Sequence, residues 1–60
     1  MKKFPLQYKA ELYLTVSEEK TGFHISVIND KGEEVDGYVD PFTNLKDAET
    51  ACVILASVLR

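Results

Sequence analysis

The stretch GFHISVINDKGEEV, Gly22 to Val35, holds a strand, a turn and the start of another strand, and the rest of the chain is read outward from it. Phe23, Ile25 and Val27 alternate with His24, Ser26 and Ile28, the period-two pattern of a strand from Phe23 to Asn29 with one face in a core. Asn29-Asp30-Lys31-Gly32 opens polar and ends in glycine, as a type I turn followed by a left-handed residue in a G1 bulge requires. That turn pairs Asn29 with Glu33. Carried along the ladder, it sets Val27 against Val35, Ile25 against Gly37 and Phe23 against Val39 on the core side. On the other side it sets His24 against Tyr38 and Ser26 against Asp36.

Upstream, Tyr8, Ala10, Leu12, Leu14 and Val16 alternate with Lys9, Glu11, Tyr13, Thr15 and Ser17, which predicts a first strand over 8–17. Glu18 to Gly22 then form a four- or five-residue hairpin loop. Downstream, Pro41 ends the third strand, because proline has no N–H to give a ladder. Phe42-Thr43-Asn44 is a connector whose Asn44 or Thr43 caps a helix beginning at Leu45, with Asp47 in its first turn. On that helix Leu45, Ala48, Cys52, Leu55, Ala56 and Leu59 form one apolar stripe, while Val53, Ile54 and Val58 flank it or lie well off it. The fold class is α+β: a three-stranded antiparallel meander in the order 1-2-3, followed by one C-terminal helix packed on one sheet face (β-β-β-α), in a single domain spanning 1–60.

Sixty residues bury only about 60% of the surface of the unfolded chain, so the core is thin and reinforcement is expected. A lone cysteine, Cys52, closes no intrachain disulfide, and one cysteine with one histidine makes no four-ligand zinc site. No cofactor is expected. The net charge of −3 does not draw the chain to a phosphate backbone or an anionic membrane. Lys2-Lys3 is followed by no apolar signal core, and no stretch approaches the roughly 18 apolar residues of a membrane span. These features, with an unpaired thiol, predict a cytoplasmic location.

The candidates for chemistry are few. His24 is placed on the open sheet face beside Tyr38, Tyr13 and Thr15, where it reads as a contact residue and not a catalyst, since pockets host chemistry and sheet faces seldom do. Cys52 lies within the helix stripe as a small core hydrophobe. Glu18, Glu19, Asp30, Glu33, Glu34, Asp36 and Asp40 crowd the turns and the third strand without the spacing of a calcium loop, and read as a solvated acidic edge able to meet a basic partner. The three glycines form no phosphate loop, and no catalytic triad is arguable locally.

Two surfaces are more apolar than a monomer needs: the Val53, Ile54, Val58 flank, and the open face with Tyr13, Ile28 and Tyr38 beside a long first-strand edge free of internal proline. A homodimer is expected, by edge pairing or by helix packing, with Ile54 the residue it explains best. The functional expectation is a non-catalytic protein-interaction module acting as a regulator or inhibitor, presenting Glu34 and Asp36, or Tyr13, His24 and Tyr38, to a protein partner. The alternatives are a nucleic-acid-binding β-β-β-α domain, disfavoured by its acidic strand positions, and an acidic mimic of nucleic acid.

Overall fold

The computed structural model describes residues 2–38 and 41–59, and in it the sheet has four antiparallel strands, not three, in the order β1-β2-β3-β4. These are β1 (Phe4–Pro5), β2 (Leu12–Glu19), β3 (Gly22–Asn29) and β4 (Glu34–Gly37), followed by the helix α1 (Leu45–Val58). The alternation from Tyr8 onward overstates the first long strand, because Glu11 takes a left-handed backbone, φ 67°, and the chain turns there. Leu6 then donates its N–H to the Leu12 carbonyl at 3.0 Å, and Phe4 and Pro5 fold back to pair with Leu14 and Tyr13. Proline is tolerated because β1 is an edge strand.

The β2–β3 hairpin is tighter than expected. Glu19 pairs with Gly22, which leaves Lys20 and Thr21 as its loop. Gly22 has φ 135°, a backbone conformation that suits glycine. The turn after β3 is the one the sequence predicts: Gly32 donates to the Asn29 carbonyl and Asn29 to the Glu33 carbonyl, both at 3.0 Å, with Gly32 at φ 83°. The Asn29 side chain locks it by accepting from the N–H groups of Lys31 and Glu33.

Beyond that turn the register departs from expectation by one residue. Ile28 pairs with Glu34 but Val27 pairs with Asp36, so Val35 is the extra residue of a β-bulge. Ser26 consequently faces Gly37, and Tyr38 donates to the Ile25 carbonyl at 3.0 Å; the expected pairs Ser26–Asp36, Ile25–Gly37 and His24–Tyr38 do not form. Phe42, read as part of a connector, instead pairs with Phe23 through two backbone hydrogen bonds of 2.8 and 2.9 Å. Val39 and Asp40 lie outside the described residues.

Asn44 caps α1 as expected. Its Oδ1 accepts from the Asp47 N–H at 2.8 Å, and its Nδ2 donates to the Asp47 carboxylate at 3.1 Å, which holds the capping side chain in place. Ala48, Cys52 and Ala56, four residues apart, are the helix residues buried on the sheet; their small side chains allow a close approach. Leu55 and Leu59 pack at their side, whereas Leu45, at the exposed first position of the helix, remains 46% accessible. The core beneath is Leu6, Leu14, Ile25 and Val27. At the far end the Gln7 N–H donates to the Ala56 carbonyl at 2.8 Å, satisfying a group that the end of a helix leaves unpartnered. The helix covers β1, β2 and β3 and makes no contact with β4.

Candidate interaction surfaces

Both sheet edges are blunted. On one side β1, with Pro5, covers the Tyr13–Leu14 part of β2, and Thr15 donates its hydroxyl to the Lys2 carbonyl at 3.2 Å. The long proline-free edge expected there is therefore shortened to residues 16–19 of β2. On the other side β4 carries the bulge, and the Asp36 carboxylate accepts from the Gly37 N–H at 2.8 Å, occupying a donor that an added strand would need. Because Tyr38 donates inward to β3, the neighbouring Gly37 N–H is the one directed outward.

The outer face of α1 is different in kind. Val53, Ile54 and Val58, which flank the apolar stripe or lie off it, are each 58% exposed. From Thr50 to Leu59 the chain contains no charged residue on any side, a signal present in the sequence that helical periodicity alone does not carry. A helix apolar on most of its circumference is ordinarily covered all round. Here only the sheet side is.

The sheet face away from α1 carries Tyr13, Thr15 and Ser17 on β2, His24, Ser26 and Ile28 on β3, and Glu34 on β4. The expected group of Tyr13, His24 and Tyr38 is not assembled. His24 stands opposite Ser17 and its Nε2 lies 2.6 Å from the Thr21 hydroxyl, while Tyr13 stands opposite Ile28 at the far end of the hairpin, with the Lys3 ammonium 5.7 Å from its ring centre. Four residues of strand separate Ser17 from Tyr13, about 13 Å. His24 and Tyr38 do line a common open groove of about 560 Å³ with Glu34. Asp36 is not part of it: the bulge turns Asp36 and Val35 to the helix side, where they border a smaller groove with Leu12, Val27, Leu59 and Tyr38, which lines both grooves. Glu34 and Asp36 thus serve opposite faces and do not form one acidic edge.

Cys52 is fully buried, and burial, followed by the nearby Glu49 charge, pushes its thiol up to about 11. A thiol so held is not a nucleophile at neutral pH. His24 lies on the face away from α1, so the two residues form no dyad. The native thiol should resist alkylation at pH 8 and react once the chain is unfolded in urea; rapid native labelling would contradict the burial. Linkage has a definite sign here. The unfolded thiol ionises from about pH 9 while the native one stays neutral, so stability present below pH 9 falls by about 2–3 kcal/mol as pH rises to 11. Alkaline urea titrations of the native chain and Cys52→Ala would read this as a slope that the variant lacks.

Among the described residues no group of three potential metal ligands occurs, and no helix is long and apolar enough to cross a membrane. Comparison of the chain with known protein families, with curated proteins and with solved structures finds no match.

Proposed function

We propose that this chain is a non-catalytic interaction module that forms an isologous dimer through the outer face of α1 and works by binding another protein. The observation that carries the reading is the exposure of Val53, Ile54 and Val58 on a helix segment free of charge from Thr50 to Leu59, in a domain whose two sheet edges are both blunted. Two copies of a face without charges meet without opposing like charges across a two-fold axis, although each chain carries −3 overall. Such a contact adds a second apolar layer to a core that is otherwise one helix and one sheet thick. The sheet face opposite the helix stays free in the dimer.

Sedimentation equilibrium over a broad concentration range tests this. The chain should sediment as a dimer, and Ile54→Asp as a monomer that keeps its far-UV circular dichroism, since Ile54 takes no part in the core. A monomeric wild-type chain, or an Ile54→Asp variant as dimeric as the wild type, overturns the helix-face dimer.

A further inference from the structure

β1 shortens the outer edge of β2 without closing it. In an antiparallel ladder alternate residues turn both N–H and C=O to the same side. Leu6 donates to the Leu12 carbonyl and Phe4 pairs with Leu14, so the outward-turned residues of β2 are Leu12, Leu14, Val16 and Glu18. β1 and the turn after it serve the first two. The next pair in the series, Lys2 with Val16, does not form: the Lys2 carbonyl takes the Thr15 hydroxyl instead. Among the described residues no strand pairs with the outward groups of Val16 and Glu18. The helix side of the same stretch has room for a side chain. Val16 packs there against the core, and beside it Phe4 and the half-exposed Leu45 border a notch of about 260 Å³, with the Lys2–Glu49 ion pair, 4.0 Å long, at its rim.

From this arrangement we propose that residues 16–19 of β2 take an extended segment of the protein partner as an added antiparallel strand, with an apolar side chain seated between Phe4, Val16 and Leu45. It rests on the interaction-module reading above and names that module's docking point. The free ladder groups of Val16 and Glu18 fit backbone two residues apart, which is what a strand presents, and the notch beside Val16 selects the side chain that stands opposite it. Two residues before that anchor, the partner strand stands opposite Glu18, an exposed carboxylate with no ion-pair partner among the described residues, so a basic residue fits there. A second copy of this chain fits worse. Two β2 edges can satisfy both ladder pairs only about a two-fold axis at Ser17, and that axis sets the Glu18 carboxylate of the copy against the apolar notch at Val16.

The probe is the capped hexapeptide Ac-TKTITK-NH2, which sets isoleucine opposite Val16 and its first lysine opposite Glu18, titrated into the isotopically labelled chain and followed by amide NMR. The Val16, Ser17 and Glu18 amides should shift saturably, with a Kd on the order of 1 mM, as expected for so short a ligand. Methylating the isoleucine nitrogen, which faces the ladder, should abolish saturable binding. Methylating the nitrogen of the threonine before it, which faces away, should leave the Kd within about twofold. Replacing the isoleucine by alanine should weaken binding about tenfold, and Leu45→Ala, at an exposed position, about fivefold. The two methylated peptides carry the same charge, so equal binding by them would mean attraction to the carboxylates alone and overturns the proposal. Shifts that do not saturate, or no effect of Leu45→Ala, overturn it too. The titration is repeated on Ile54→Asp, so the edge is tested whether or not the helix-face dimer forms, and the failure of one is distinguishable from that of the other.

Discussion

Gly22→Ala is expected to lower stability by about 2–4 kcal/mol, which in a domain of this size moves Tm down by roughly 10–25 °C. Two separate causes combine. Alanine is strained at φ 135°, and its Cβ would stand 2.7 Å from the Phe42 carbonyl oxygen and 3.0 Å from the Pro41 Cβ. The Phe42 oxygen cannot move aside freely, because it accepts the 2.9 Å hydrogen bond from Phe23 that joins the segment before the helix to the sheet. Gly32→Ala is the control. At φ 83° it bears the conformational cost, about 1 kcal/mol, but a Cβ there meets nothing within 4 Å. Urea denaturation of both variants by circular dichroism measures the difference. Equal losses would mean that the contact with Phe42 has no part in holding the hairpin.

Leu14→Ala should be comparably severe, at about 2–5 kcal/mol. Leu14 is fully buried in β2, with Phe4 paired on one side, Val27 on the other, and α1 across it. The thinness of the core makes this loss decisive. A chain of sixty residues has a total stability of roughly 3–9 kcal/mol. Removal of the leucine should therefore leave much of the population unfolded at 25 °C, seen as collapsed methyl dispersion in proton NMR. A variant retaining native dispersion and a Tm within a few degrees of wild type would show that neighbouring side chains refill the space.

The parts of this fold that were legible in the sequence are those determined by chemistry within a few residues. Asn29 and Gly32 specify their turn because one side chain and one backbone conformation do so locally. Asn44 and Asp47 specify the helix start in the same way. β1 was not legible, since two residues carry no period and one of them is proline. Tyr8 and Ala10 continue the alternation of β2 by coincidence, across a backbone that Glu11 bends away. The bulge at Val35 left no mark either: Val35 lies on the helix side with Val27 in both registers, so the apolar pattern is blind to the shift. Its effect falls on the polar residues. Moving Asp36 to the helix side and bringing Gly37 opposite Ser26 is what creates the groove, whereas the exposed flank of α1 was readable from the helical wheel alone.

The hydrogen bond from Gln7 to Ala56 also bears on when this protein can fold. It ties together positions 7 and 56, and the core residues Leu6 and Ala56 that it brings near one another lie far apart along the chain. A chain emerging during synthesis has β2, β3 and β4 well before it has Ala56. Until Ala48, Cys52 and Ala56 are available, the apolar side of the meander lacks its helix cover. Closure therefore waits for the last turns of α1 and joins segments distant along the chain, which favours an all-or-none transition over stepwise growth.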